Sequence, residues 1–572
     1  MSPRQRIVRR ETARTGQWPA EVPPLLQRIY TARGVFAIEE AQPKLASLPS
    51  PDALGGLDAA TALLARAIAA DAHIVVVGDF DCDGATACAL AVRGLRLLGA
   101  RRITPSVPNR MVHGYGLSPL LVEELAGLKP DLLLTVDHGI ACHAGVVAAK
   151  AHGWDVVVTD HHLPGESLPP ADAIVNPNLR GDPFPGKALA GVGVMFYVLL
   201  ALRRRLRKNG AFATESEPDL SALLDLVAVG TVADLVPLDA GNRALVAAGL
   251  RRLRAGRGCA GLQALIEVSG REARRLTAAD IGFAIAPRLN AAGRLEDMAL
   301  GIECLLCDDP ARARELAAIL HGINAERRGV QQTMTDEAEA LVVRIDAGAT
   351  PIAACLFDPE WHPGVVGLVA SKIKDKLHRP TIAFAPSEPG SAVLRGSARS
   401  IAGFHIRDAL AAVDAAHPGL IAKFGGHAMA AGLSLDEGDL PLFRDAFLAH
   451  AAAALGPEQL QARILSDGEL LPHEFDRFHA EAIRDGGPWG QGFPEPLFDG
   501  EFDVIDWRVV GERHLKLALR LEGRPGPLNA IHFGGWNDAA PEPRVRLAYR
   551  LAPDDYRGGQ AIQLIVEHRE PA

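Results

Sequence analysis

The chain has 572 residues, 48% of them hydrophobic and 23% charged, with a formal net charge of −9. That length is ample for roughly three or four domains with buried cores, and the negative balance argues against coating of nucleic acid over the whole surface. No apolar run is long and uninterrupted enough to span a bilayer. The seven cysteines suit a reducing compartment, and the arginine-rich start has no apolar stretch after it, so it does not read as a secretory signal; a cytoplasmic protein is expected.

Residues 1–70 read as an N-terminal extension, with helical signals at Val22 to Tyr30 and Leu57 to Ile68. Both are expected to pack on the next domain. From 71 to 240 short apolar strands alternate with helical runs, which predicts a parallel sheet with crossover helices. The strands are Ile74 to Val77, Arg102 to Val107, Leu132 to Val136, Val156 to Thr159 and Ala173 to Val175.

The first strand runs into Gly78-Asp79-Phe80-Asp81-Cys82-Asp83-Gly84. On an extended segment Asp79, Asp81 and Asp83 would share one side. Carboxylates so close repel unless cations neutralise them. Three later runs repeat the theme: Asp137-His138 after Leu132 to Val136, Asp160-His161-His162 after Val156 to Thr159, and Asp234 after Val227 to Ala233. Read as strand ends of one sheet, they assemble carboxylate and imidazole at the edge where open α/β sheets bind ligands. Such donors suit Mn²⁺-type cations, and Mg²⁺ less well. Cys304 and Cys307 form a lone CxxC with no second pair nearby, which argues against zinc.

Residues 241–350 read as a helical connector, with helices at Ala240 to Arg257, Ala278 to Arg288 and a long one at Pro310 to Ile345. A second α/β domain follows at 351–456, with strands Ile352 to Phe357 and Thr381 to Ala385 around a helix at Val365 to Leu377. Two glycine-rich turns, Arg395 to Ser400 and Phe424 to Gly432, offer backbone amides for phosphate, and Ser397 with Arg399 adds a hydroxyl and a guanidinium fork. Residues 457–572 change to five short strands, a pattern expected of a small OB-like barrel. Trp507, His514, Lys516, Arg520 and Phe533 are its candidate contacts to single-stranded nucleic acid.

These motifs in this order resemble the DHH phosphoesterases, named for Asp160-His161-His162. The resemblance also rests on Pro108-Asn109-Arg110 with His113-Gly114-Tyr115-Gly116, on Val136-Asp137-His138-Gly139 and on Gly230 to Asp234. Pro287-Arg288-Leu289-Asn290-Ala291-Ala292-Gly293-Arg294, Trp361 to Gly367 and the two glycine turns complete it. With the terminal barrel, the set is similar to the branch of single-strand-specific 5′→3′ exodeoxyribonucleases. Phe80, Cys82 and Ala398 depart from the family's usual tyrosine, alanine and glycine, and none removes a carboxylate, imidazole or guanidinium.

The resemblance implies a DHH catalytic domain, a DHHA1-type domain and an OB-like barrel. It implies two Mn²⁺ or Mg²⁺ ions on Asp79, Asp81, Asp83, Asp137, His161 and Asp234. Asp81, Asp83, Asp137, His161 and His162 would be catalytic. Whether Asp79 binds an ion or supports a neighbour stays open, as does the role of His162. Arg110, Ser397 and Arg399 would hold the 5′-terminal phosphate; His113, Arg288, Gly425, Gly426 and His427 would make further phosphate or DNA contacts. Single-stranded DNA is the implied substrate, a helicase and a single-strand-binding protein the implied partners, and a monomer the implied state. The rival readings are a phosphodiesterase of the same family acting on short oligonucleotides or cyclic dinucleotides, a family-II-type pyrophosphatase, and a non-catalytic nucleic-acid scaffold.

Overall fold

The β-branched and leucine-rich runs form strands where both faces of a sheet can be covered. In the computed structural model, which describes residues 5–11, 15–109, 112–212, 217–345 and 351–572, a short strand β1 (Arg6–Arg9) precedes the first sheet. That sheet holds β2 (Ile74–Val77), β3 (Ile103–Ser106), β4 (Leu132–Val136), β5 (Asp155–Thr159) and β6 (Ala173–Val175). The order is β3-β2-β4-β5-β6, all parallel. Every residue of β2 and β4 is buried, because the helices at Cys82–Leu97 and Gly191–Lys208 cover one face. Leu121, Val122, Val146 and Trp154 cover the other. From β2 the chain crosses to β3 on one side, then to β4 on the other, so the order reverses between β2 and β4. Doubly wound sheets open a ligand crevice at such a point, at the carboxyl ends of the strands.

One expected strand is a helix. Val227 to Ala233 belongs to the helix Leu224–Ala233, which packs against the helix Cys82–Leu97. Leu226, Val227, Ala228, Val229 and Thr231 are all fully buried. A run buried on every side has no apolar period, so pattern alone cannot separate helix from strand. The expected helix at Ala278 to Arg288 is also broken, by a π-helical turn at Ile281–Ile285 before Ala286–Leu295.

The second sheet contains β7 (Ala354–Phe357), β8 (Thr381–Pro386), β9 (Val393–Arg399), β10 (Lys423–Gly426) and β11 (Ala430–Asp436), ordered β10-β11-β9-β8-β7. Both glycine-rich segments read as turns are therefore largely strand: the first is β9 and the second a β10–β11 hairpin. The alternating burial along β9 is the reason, since small residues that face a packed neighbour keep a strand's period. The long helix Pro310–Ile345 joins this domain to the rest, as its polar periodicity predicts. Among the described residues no helix is long and apolar enough to cross a membrane.

After β12 (Arg463–Ser466), which pairs in parallel with β1, come β13 (Phe498–Val510), β14 (His514–Arg520), β15 (Leu528–His532), β16 (Arg544–Pro553) and β17 (Ile562–Pro571). They close into a barrel in the order β13-β14-β15-β17-β16. Its interior residues, among them Phe498, Phe502, Leu517 and Tyr549, belong to one buried cluster with the first sheet's helices. The N-terminal extension mediates that continuity. Tyr30 stacks on Trp18 and Trp489 at 5.6 and 6.0 Å, and Trp489 stacks on Phe493 at 5.1 Å.

Beside those rings Arg33 and Asp467 form a buried pair at 2.7 Å, each side chain 1% exposed. Removing Arg33 leaves the buried Asp467 with Arg10, 3.6 Å away, as a weaker counter-charge. Arg33→Ala is therefore expected to destabilise the chain by about 3 kcal/mol, read as a lowered urea midpoint in tryptophan fluorescence. A change inside about 0.5 kcal/mol would mean that the pair holds nothing together.

Candidate metal centre

The three alternating acids do not lie on one extended segment. β2 ends at Val77, the chain turns, and a helix begins at Cys82 with Asp81 as its N-cap, accepting from the Gly84 N–H at 3.0 Å. The turn is tight: a side chain at position 84 would sit 2.5 Å from the Asp79 nitrogen. The acids divide as a result. Asp79 and Asp81 meet Asp137, whereas Asp83 meets His161 and Asp234; a third group joins Asp137, His161 and His162. Within each group the ligand atoms lie within 4.8 Å of one another. All six residues expected to hold metal, and His162, therefore converge at the crevice between β2 and β4.

Each donor has a structural reason for its place. Asp137 directly follows β4 with φ at +66°, a left-handed conformation that Asp tolerates better than most residues. Gly191 leaves room for it, since a Cβ there would lie 2.4 Å from the Asp137 Cβ. Asp83 accepts the Gly191 and Val192 N–H groups at 2.6 and 3.0 Å, at the start of the helix Gly191–Lys208. Asp234 is the C-cap of Leu224–Ala233, so a helix, not a strand, delivers it. A carboxylate at a helix C-terminus faces the negative end of the dipole, which a nearby cation would relieve.

Asp160 behaves differently from the other acids. Its Oδ1 accepts the His161 and His162 N–H groups and lies 2.7 Å from His162 Nδ1, while Oδ2 accepts the Ile140 N–H. Asn176 and Asn178 donate to the His162 and His161 carbonyls at 2.8 and 2.6 Å. These asparagines brace the Asp-His-His segment, and sequence reasoning missed them. Their only signal is two asparagines just past β6, on an irregular stretch. Tyr115, between two glycines of a motif quoted above, is a second such residue. Its ring stands edge-on to His162 and Phe80 at 6.2 and 6.0 Å.

The electrostatics describe a site built for cations. Burial, then the neighbouring carboxylates, pushes Asp79 and Asp137 well above the usual carboxylate range. The same causes push Asp83 to about 7 and Asp234 to about 9. Burial and then His162 lower His161 to about 4, leaving it a neutral donor. Burial also opposes ionisation of Asp160, yet its hydrogen bond with His162 prevails and holds it at about 2. His162 rises to about 9 through that same bond, against its own burial. Asp137 Oδ1 and His161 Nε2 are buried 3.1 Å apart, His161 Nε2 lies a further 3.5 Å from Asp234 Oδ2, and among the described residues neither atom has a hydrogen-bond partner. Buried polar atoms left without a partner are rare; a carboxylate oxygen and a neutral imidazole nitrogen facing each other suit Mn²⁺ or Mg²⁺.

A second cluster lies in the β7–β11 domain. Arg399 donates to Ser397 Oγ at 2.9 Å, and both side chains crowd Gly367 in the first turn of the helix Val366–Leu377. That is an anion cup made of a guanidinium, a hydroxyl and a helix N-terminus. The hairpin bearing Gly425, Gly426 and His427 adjoins it, since Arg399 pairs with Ala430. Burial, and then the charge of His162, lowers the pKa of His427. Two expected contacts point elsewhere. His113 bonds the Asn109 N–H in its own loop and Glu124 on the helix Pro119–Ala126, and the Arg288 guanidinium binds His321 and the Ala284 carbonyl between helices. Arg110 lies outside the described residues.

Comparison with known proteins places this geometry. Residues 73–231 match the DHH family N-terminal domain, 348–453 the DHHA1 domain and 466–568 the RecJ OB domain. The single-stranded-DNA-specific exonuclease RecJ of Dickeya dadantii is 50% identical over 571 residues, 98% of each chain. The chain belongs to the RecJ family. The RecJ of Escherichia coli is 48% identical over 98% of each chain. The crystal structure of Thermus thermophilus RecJ in complex with Mn²⁺ superposes with a TM-score of 0.78 at 34% identity, covering 98% of this chain and 79% of that one. The Mg²⁺ complex gives 0.74. Mn²⁺ and Mg²⁺ are thus the ions held by those two Thermus thermophilus RecJ structures.

A carboxylate whose pKa is raised in the folded chain holds a proton that the unfolded chain has lost, so its contribution to stability falls as pH rises through the folded value. Asp83 at about 7, Asp234 at about 9 and His162 at about 9 all act in this direction. In EDTA the Tm is expected to fall from about pH 7 to about pH 9. Mn²⁺ is expected to raise it, and by more at the higher pH. A Tm in EDTA that is flat or rising over this window would contradict the charge assignment.

Proposed function

We propose that this chain is an exodeoxyribonuclease that degrades single-stranded DNA from the 5′ end, releasing 5′-mononucleotides by two-metal hydrolysis. Two buried ligand atoms without a hydrogen-bond partner among the described residues, Asp137 Oδ1 and His161 Nε2, carry the reading. Asp79, Asp81, Asp83, Asp137, His161 and Asp234 would hold the cations. Bound there, divalent cations supply Lewis-acid activation of the scissile phosphate and of the attacking water.

The remaining work belongs to side chains. Asp160 and the two asparagines hold the histidine pair in place. His162 is held cationic by Asp160, and it donates a hydrogen bond from Nε2 to an oxygen of the phosphate as charge develops there. His161 stays neutral and presents Nε2 toward Asp137. Ser397 and Arg399 receive the 5′-terminal phosphate, with Arg110 and His427 assigned to the same end. A bound terminal phosphate fixes polarity, because the strand is then measured from that end.

The two clusters are linked through packed backbone. The Cys82 N–H donates to Asn290 Oδ1 at 2.8 Å, Gly293 abuts the Phe80 carbonyl, and Arg294 donates to the Gly364 carbonyl at 3.3 Å, just before the anion cup. The barrel would hold the strand downstream of the cut. We assign the chain a cytoplasmic location, a monomeric state, and a helicase and a single-strand-binding protein as partners. The domain division at 71–240, 241–350, 351–456 and 457–572 goes with this reading.

Asp137→Asn retains tolerance for the left-handed backbone and removes one charge from the centre. Mn²⁺-dependent digestion of end-labelled single-stranded DNA is expected to drop by a factor on the order of 10³, while strand binding persists. Retained digestion would sink the metal assignment. Arg399→Ala is expected to reduce the preference for a 5′-phosphorylated over a 5′-hydroxyl end by about 10- to 100-fold, the worth of one charge-assisted hydrogen bond. Equal degradation of blocked and free 5′ ends by the unmodified enzyme would refute the terminal pocket.

A further inference from the structure

The sheet that carries the acids ends at β3, which pairs only with β2, and a groove borders its outer edge. The Ile74 and Gly78 N–H groups bond the Arg102 and Ser106 carbonyls. In a parallel ladder the even-numbered residues of β3 therefore face β2, and Ile103 and Pro105 turn their backbone outward. Pro105 has no N–H to offer there, which blunts the edge against indiscriminate strand pairing. Across from this edge lies the helix Ala299–Leu306. Between them is a cavity of about 490 Å³, within the range of pockets that bury a ligand. The helix contributes Ala299, Ile302 and Leu306, which share one face, and the strand end contributes Pro105 and Val107. Ile302 is buried, Leu306 and Val107 are half-buried and Ala299 is exposed, so an apolar floor stands open to solvent.

The rim decides what the floor can take. Asp297 and Glu303 line the groove, and among the described residues no lysine or arginine does. Asp308 and Asp309 follow Cys307 at the far end of the helix. Arg312 answers Glu303 at 2.9 Å and Arg93 answers Asp308 at 2.8 Å. Both carboxylates are well exposed, and pairs of that kind are weak. Asp297 Oδ1 accepts the Ala299 N–H, and among the described residues Asp297 forms no salt bridge. A phosphodiester strand is repelled by such a rim. An apolar side chain carried between two cations is favoured twice, by burial on the floor and by attraction at the rim.

We propose that this groove docks an extended, basic and apolar segment of a partner protein. The segment lies beside β3, with apolar side chains between Val107 and Leu306 and cations at Asp297 and Glu303. Pro105 leaves an incoming strand few main-chain bonds, so recognition rests on side chains. The same sheet then uses two sets of acids differently. Those of the crevice, at the carboxyl ends of β2 and β4, are buried and call for metal; those of the rim are exposed and call for a partner's lysines or arginines. The groove is independent of the nuclease reading above.

The test uses the full chain and a fluorescein-labelled heptapeptide of alternating lysine and leucine, with Mg²⁺ present to compete for the acidic crevice. Anisotropy is expected to show binding about 10-fold or more tighter than for heptapeptides of lysine with serine or of glutamate with leucine. Asp297→Asn combined with Glu303→Gln is expected to weaken binding about 10-fold, the worth of two rim charges. Ala299→Trp fills the floor from an exposed position and is expected to abolish it. The peptide is also expected to slow alkylation of Cys307, which lines the groove, by iodoacetamide. An oligothymidylate in EDTA is expected to leave that alkylation unchanged. Both variants are expected to digest single-stranded DNA at the unmodified rate, since neither touches the metal centre or the anion cup. Equal affinity for the lysine–serine peptide, full affinity in Ala299→Trp, or a Cys307 that the peptide leaves unprotected overturns the proposal. Protection of Cys307 by the oligothymidylate overturns it too, because the groove would then lie on the strand's path. The protection readout uses the unmodified chain, so it decides the matter should either variant fail to fold.

Discussion

Like-charge repulsion in a buried place is the constraint around which this molecule is arranged. Asp79, Asp83 and Asp137 are each less than 5% exposed and share a crevice with Asp81 and Asp234. Water cannot screen them there, so each favours the proton unless a cation replaces it. The sheet reversal supplies the crevice, the tight turn at Gly84 folds two acids back on one another, and Gly191 lets a helix approach Asp137. Together these features maintain a concentration of carboxylates that protons or cations must neutralise.

Asp160 shows how narrowly that environment is drawn. It is as buried as its neighbours, yet three N–H groups and an imidazole surround it. It ionises where they resist, and it spends its charge on fixing His162. What sets Asp160 apart is the added imidazole and the number of its hydrogen bonds, not its residue type or depth. By the same measure Asp79, whose Oδ1 accepts only the neighbouring Phe80 N–H, keeps capacity for a metal.

Much of this was legible in the residues. Short apolar runs ending in acids marked β2, β4 and β5, because a parallel strand buried on both faces must be apolar and must end where polarity resumes. The barrel strands and the long helix carried their own periods. Val227 to Ala233 misled because complete burial erases the period, so Asp234 was placed on a strand. The glycine-rich segments misled because small residues suit both turns and crowded strands. Asn176, Asn178 and Tyr115 act only through tertiary contact, and no local pattern marks an asparagine that will brace a loop from outside it. Arg288 and His113 were legible as polar contacts but not as ones already engaged by His321 and Glu124.

The unbroken core between the barrel and the catalytic sheet has a mechanical consequence. Domains that share a large apolar interface do not rock against each other as separate bodies. Phe502 and Tyr549 inside the barrel, Tyr30 and Trp489 at its base and Leu226 beneath Asp234 belong to one packed mass. The barrel and the acidic crevice are therefore joined through the packed rings of the N-terminal extension and its neighbours. Loosening those rings is the change that would let the barrel move against the crevice as a separate body.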